Sequence, residues 1–245
     1  AGFSKDVPTK ISHFEALDLG NRIEYFQADV RNKCSLQEAL TKFNPDIVFH
    51  LAAQSLVRKS YESPILTFET NSMGTLNLLD CLRDPSSVVA TVLITSDKCY
   101  ENVEWLWGYR ENDRLGGKDP YSASKACAEI ISKAYMESFF GEKGPAIATT
   151  RAGNVIGGGD WAKDRIIPDC VRAWSEGKKV VVRNSNATRP WQHVLEPLSG
   201  YLVLGKKLLQ GDPEVKNQSF NFGPSAKVNQ PVGDLIIEMA KYWPG

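Results

Sequence analysis

Apolar and polar positions in the first half of the chain alternate between a two-residue and a helical period. Residues 22–28 (RIEYFQA) form a short β-rich run, and residues 35–43 place Leu36, Leu40 and Phe43 at helical spacing. An apolar strand is predicted over 46–51 (DIVFHL), opened by Asn44 and Pro45. There follow a long amphipathic helix over 64–82, a nearly continuous β-branched strand over 88–95 (VVATVLIT), a second long helix over 121–140 and a strand over 146–150. A run that is apolar at nearly every position belongs to a strand covered on both faces, as in a parallel sheet. The alternation predicts an α/β fold, a doubly wound parallel sheet with right-handed crossovers. Such sheets bind ligands beyond the carboxyl ends of their strands. That rule points to the tips at 29–30, 51–54, 95–98 and 151–154.

The texture changes near Ala152. Gly157, Gly158 and Gly159 open an irregular stretch with several prolines, and short strands are expected only at 180–183 and 219–222. We therefore expect one domain over 1–151 and a smaller, mainly substrate-binding region over 152–245. No G-x-G-x-x-G spacing, which would hold a pyrophosphate at a helix N-terminus, occurs in the chain. The expectation is that about 30 or more residues, one β-α unit with its Gly-rich turn, precede Ala1, and that the second region is incomplete at its C-terminal end.

Composition narrows the function classes. The chain is 42% hydrophobic and 24% charged, the balance of a protein with a real core. Its 29 basic and 29 acidic side chains cancel, so neither nucleic acid nor a membrane surface is an expected partner. No apolar run approaches the roughly 18 residues of a membrane helix. The five cysteines (Cys34, Cys81, Cys99, Cys127 and Cys170) are scattered without a C-x-x-C pair. They read as reduced thiols of a cytoplasmic protein, with neither a disulfide frame nor a metal site.

Two constellations carry candidate chemistry. In Tyr121-x-x-x-Lys125 the phenol and the amine share one helical face. A nearby ammonium would lower the phenol pKa and make a base for a substrate hydroxyl; a solvated helix face has the same spacing. The second is Thr95-Ser96-Asp97-Lys98-Cys99-Tyr100, which gathers hydroxyl, carboxyl and amine groups at the tip of the most apolar strand. A polar strand-to-loop transition is the plain alternative there.

Taken with Asp29-Val30-Arg31, His50-Leu-Ala-Ala-Gln54, Thr70-Asn71-x-x-Gly74-Thr75, Arg151-Ala-Gly-Asn154, Arg189-Pro-Trp191 and Asn221-Phe-Gly223, these motifs resemble the extended short-chain dehydrogenase/reductases. The resemblance is to their NAD-dependent, nucleotide-sugar-modifying branch with a Rossmann-like sheet. Within it, the stretches at 95–100, 107–111 and 151–165 resemble the CDP-glucose 4,6-dehydratases. Related dehydratases carry Asp-Glu at the strand tip, where this chain has Asp97-Lys98.

The resemblance implies NAD as cofactor and CDP-glucose, or a related nucleotide sugar, as substrate in deoxysugar and polysaccharide synthesis. It implies that Tyr121, helped by Lys125, deprotonates the C4 hydroxyl while Ser96 holds that oxygen. Lys98 would take the C5 proton, and Asp97 would protonate the departing C6 hydroxyl. The cofactor residues implied are Asp29, Val30, Leu51, Ala52, Ala53, Gln54, Asn71, Thr95, Tyr121 and Lys125, with Asn154, Arg165 and Arg189 on the substrate. A homodimer through the helices carrying Asn71 and Tyr121 is implied too. A nucleotide-sugar epimerase, a dehydratase of another nucleotide sugar and a dinucleotide-binding regulatory module are the alternatives.

Overall fold

The β-branched run and its neighbours build the central layer. In a computed structural model, which describes residues 2–4, 12–84, 87–141, 144–225 and 228–243, the chain begins β1 (Gly2–Ser4), α1 (His13–Ala16), β2 (Tyr25–Gln27), α2 (Lys33–Phe43), β3 (Ile47–His50), α3 (Val57–Glu62), α4 (Pro64–Phe68) and α5 (Gly74–Cys81). It continues through β4 (Ala90–Ile94), α6 (Pro120–Ser138), β5 (Ala146–Ala152), β6 (Val155–Ile156), α7 (Ile166–Ser175), β7 (Thr188–Pro190), β8 (Gln192–His193), α8 (Leu195–Leu209), β9 (Gln218–Phe222), β10 (Asn229–Pro231) and α9 (Val232–Ala240). Strands β3, β4, β5 and β9 lie side by side in that order, all parallel. Strands β1 and β2 form a separate parallel pair.

Alternate side chains of β4 and β5 leave the sheet on opposite faces. Leu93 and Ile147 join Val30, Leu36, Leu78, Leu79, Met136 and Phe140 in one core, whereas Val92 and Ala148 join Leu204 and Leu208 of α8 in another. Both faces are thus covered, which is what the unbroken apolar pattern of β4 requires.

One of the two short strands expected beyond Ala152 is present: β9 extends the parallel ladder beside β5, and α8 covers the second face. The apolar positions that turn toward α8 need that cover, so the layer cannot be closed by residues 1–151 alone. Residues 180–183 form no strand; Val181 is 90% exposed on the surface. Valines favour extended structure only where a neighbouring strand or core receives them.

The helix predicted over 64–82 is continuous but irregular. One π turn, Glu69–Met73, joins α4 to α5 and contains Asn71. Such single turns concentrate at functional sites, because the wider turn re-aims side chains. Immediately after it, Gly74 meets Val30 so closely that an added Cβ would sit 2.7 Å from Val30 Cγ2. Among the described residues, no helix is long and apolar enough to cross a membrane.

Candidate active site

Helix α6 begins where the chemistry needs it. Asp119 caps its first turn by accepting from Ser122 N (2.9 Å) and Ser122 Oγ (2.6 Å), and Pro120 occupies the first helical position. Tyr121 and Lys125 therefore lie in its opening turns, both buried. Facing them, the chain leaves β4 through a tight turn over Asp97–Cys99, capped by Ser96 Oγ, which accepts from Lys98 N at 3.3 Å.

Ser96 joins the two elements. Its Oγ donates to Asp97 Oδ1 at 3.0 Å, and the Tyr121 phenol lies close enough for Ser96 and Asp97 both to act on its titration. Asp97 and Lys98 are half-buried. A Cβ on Gly153 would lie 3.6 Å from Asp97 Oδ2 and 3.3 Å from Pro190 Cγ. The tips of β4 and β5 and the ribbon of β7 thus meet at the Asp97 carboxyl. Phenol, hydroxyl and acid converge, with the amine of Lys98 next in the chain.

The electrostatics differ from expectation. Burial pushes the Tyr121 phenol up; the Ser96 hydrogen bond and the positive charge of Arg165 oppose this, and Asp97 adds to it. Lys125 is turned instead to the carbonyl of Ile94, which accepts from Nζ at 3.3 Å. Burial brings Lys125 down to about 8, against the nearby charge of Glu129. The i,i+4 spacing fixed the face the two share, and the packing of α6 against the tip of β4 decided what each one faces.

The remaining candidates divide. Asn71 is buried and ties the β3 tip to α6: its Oδ1 accepts from Gln54 N at 2.8 Å, and its Nδ2 donates to Gln54 O at 3.0 Å and Ser124 Oγ at 2.8 Å. Leu51 is exposed at that tip, with Ala52, Ala53 and Gln54 half-buried behind it. Arg165 spans the cleft, donating to Ser55 Oγ and Asp160 Oδ2, both at 3.0 Å. Asp29 is clamped side-on by Arg31.

The other candidates make contacts within the chain. Val30 is packed into the core against Gly74, so its side chain supports the tip from beneath. Thr95 turns its hydroxyl inward to Glu129 Oε1 and to the carbonyl of Thr150, because the pleat places it on the covered face. Asn154 is half-buried and its carbonyl accepts from Gln192 N at 3.0 Å, while exposed Arg189 donates to the neighbouring carbonyl of Thr188.

A sequence profile described as "GDP-mannose 4,6 dehydratase" matches residues 3–217. The chain belongs to this family. It is 47% identical over 247 residues to the CDP-glucose 4,6-dehydratase of Salmonella typhimurium, covering 99% of this chain and 68% of that protein. It is 26% identical over 221 residues to the UDP-glucose 4-epimerase of Mycoplasma pneumoniae, covering 84% and 64% respectively. Among solved structures, it superposes on DesIV (dTDP-glucose 4,6-dehydratase) from Streptomyces venezuelae with NAD and TYD bound, with a TM-score of 0.77 at 23% identity over 93% of this chain and 66% of that one. The UDP-glucose 4-epimerase of Thermus thermophilus, in complex with NAD, gives a TM-score of 0.77 at 24% identity, over 90% and 69%. The two superpositions show the shared fold. The chain spans about two thirds of the length of these relatives.

Within the family's frame, the residues missed in the sequence are mostly buried polar ones. Glu129 is an acid on the covered face of α6, four positions after Lys125, and that placement inside an otherwise apolar face was the available signal. Ser124 and Ser55, small and polar, carried none.

His50 ends β3 in a buried position, with Nε2 3.2 Å from Thr75 Oγ1. Burial, and then the charge of Lys125, hold its pKa at about 4 rather than 6.5. The folded value is depressed, so the folded chain binds fewer protons than the unfolded one between these values. Stability from this group is present above about pH 6.5 and is lost as the pH falls toward 4, by about 3 kcal/mol. Urea unfolding across that window should show the loss, and His50→Gln should flatten the slope. An identical slope in the variant would remove His50 from the account.

Proposed function

We propose that this chain carries the active site of an NAD-dependent hydro-lyase that dehydrates CDP-glucose across C4–C6, yielding CDP-4-keto-6-deoxyglucose for deoxysugar and polysaccharide synthesis. The observation that carries the reading is the gathering, at the carboxyl end of β4, of Ser96 hydrogen-bonded to Asp97 and the buried phenol of Tyr121, with Lys98 adjoining. A 4-epimerase needs the phenol but has no use for an acid and an amine beside it. The substrate follows from the name of the 47%-identical Salmonella protein.

The residues present fit a dinucleotide. The tips of adjacent parallel strands β3 and β4 open at one end of the sheet, with exposed Leu51 on one and the buried amine of Lys125 against the other. NAD bound there supplies a hydride acceptor and donor for the sugar. The protein's own groups then handle the protons. Tyr121 Oη takes the proton of the C4 hydroxyl, and Ser96 Oγ holds that oxygen. A C4 carbonyl acidifies C5, whose proton Lys98 Nζ removes. The Asp97 carboxyl protonates the C6 hydroxyl, which leaves as water. Lys98 then returns its proton to C5 as the hydride taken from C4 is given back at C6, with no net redox change. An acid and a base side by side suit paired proton transfers. Arg165, Asn154 and Arg189 are assigned to the diphosphate, for which a guanidinium fork is well shaped.

A homodimer through α4, α5 and α6 belongs to the same reading, supported by exposed Ile65, Met73 and Ile130 on those helices and the π turn between them. So does a cytoplasmic location, supported by five unpaired cysteines.

The test is to incubate the full-length protein and NAD with CDP-, dTDP-, UDP- and GDP-sugars and to follow the 4-keto product in alkali. Turnover of CDP-glucose is expected. Conversion of UDP-glucose to UDP-galactose, or no product from any of these sugars, would overturn the reading.

A further inference from the structure

The turn that carries Ser96, Asp97 and Lys98 is fastened at both ends to one buried ion pair. Arg151 Nη2 donates to Glu129 Oε2 at 2.7 Å, and the two side chains are 3% and 2% exposed. On one side, Thr95 donates to Glu129 Oε1. On the other, Tyr100 Oη accepts from Arg151 Nη1 at 2.7 Å, and the guanidinium lies over the Tyr100 ring with 4.9 Å between Cζ and the centroid. Residues 95 and 100 bracket the acid and the amine, so the pair grips the segment immediately before and immediately after them.

The same pair also reaches β5 and, through Tyr100, β9. Glu129 is one helical turn beyond Lys125, and its Oε2 also accepts from Thr149 Oγ1 at 2.9 Å on β5. Arg151 Nη1 also donates to the carbonyl of Glu111 at 2.8 Å. Tyr100 Oη donates to Asn221 Oδ1 at 2.7 Å, and Asn221 N donates to Glu111 Oε1 at 2.8 Å, which ties in β9. None of these groups is part of the Tyr121, Ser96, Asp97 series, and burial keeps the pair from solvent. Its geometric consequence is the distance between the phenol on α6 and the acid and amine on the turn after β4.

We propose that Glu129 and Arg151, acting through Thr95 and Tyr100, are positioning residues that hold the Asp97 and Lys98 couple in register with Tyr121, and that they serve the elimination step rather than the oxidation of C4. This rests on the dehydratase reading given above. Loosening either tie lets the turn shift while Tyr121 and Lys125 stay anchored on α6, so C5 deprotonation and C6 departure, which need both Asp97 and Lys98, suffer far more than C4 oxidation, which needs only Ser96 from the turn. A misplacement of about 1 Å is enough to cost roughly a hundredfold in rate.

The experiment uses full-length holoenzyme carrying Tyr100→Phe, which removes one tie and leaves the ion pair whole. Rapid mixing with CDP-glucose follows NADH absorbance for the oxidation and 4-keto-6-deoxy product for the elimination. Expected are NADH appearance, KM and NAD affinity within about threefold of wild type, with product formation about tenfold slower or more and reduced cofactor accumulating. Equal slowing of both steps, slowing of oxidation alone, or no change in either overturns the proposal. A wild-type protein that makes no product sinks the substrate reading instead. Amide hydrogen exchange then decides the positioning claim without substrate: exchange at 97–100 should rise in Tyr100→Phe while melting temperature holds, and unchanged exchange overturns it.

Discussion

Tyr121→Phe lowers turnover of CDP-glucose by about 10²- to 10⁴-fold in the full-length protein, the usual contribution of a positioned acid–base group. The loss is one of chemistry and not of fold. The Tyr121 ring is buried, 7% exposed, and phenylalanine keeps that packing. The lost hydroxyl leaves Ser96 with its contacts to Asp97 and Lys98 N, so the stability cost stays at about 1 kcal/mol. A second signature accompanies it. Burial raises the phenol pKa, so the phenolate is scarce near neutrality and kcat/KM of the wild type climbs with pH. The residual activity of the variant does not follow that climb. Steady-state kinetics across pH check both statements; residual activity above about a tenth of wild type would mean another group takes the proton.

Glu129→Leu destabilises the chain by about 3–5 kcal/mol, because it leaves the Arg151 guanidinium buried without its carboxylate. At about 2–4 °C per kcal/mol for a chain of this size, the melting temperature falls by roughly 10 °C. The double change Glu129→Leu with Arg151→Met recovers most of it, since a buried pair replaced by apolar groups of similar volume is often neutral or better. Calorimetry of the two single variants and the double variant gives the coupling directly. Single variants as stable as wild type would show that neither the charges nor the hydrogen bonds they make with Thr95, Thr149 and Tyr100 hold these elements together.

These two expectations sit on opposite sides of what the chain reveals in one dimension. Tyr121 and Lys125 are readable because helical spacing alone puts them on one face, and the acid and amine at 97 and 98 because they follow a strand too apolar to lie anywhere but inside a sheet. Glu129 is harder. Nothing within a turn of it indicates that it will meet Arg151 on β5, since the partners are 22 residues apart.

The same division runs through the fold. Most of the strand and helix order of the first half, and the face each predicted helix buries, are local or periodic properties, and sequence alone determined them. Tertiary structure alone decided the rest. It set the π turn that aims Asn71 at Gln54 and Ser124, the inward turn of Thr95, the burial of Val30 under Gly74 and the pairing of Lys125 with the Ile94 carbonyl. It also left Val181 on the surface and recruited α8 and β9 into the sheet layer. Hydrophobic period is written residue by residue along the chain. The partner of a buried polar group is chosen by whichever distant backbone or side chain the packed layers bring within about 3 Å of it, because leaving that group unpaired costs more than bending a helix to reach it.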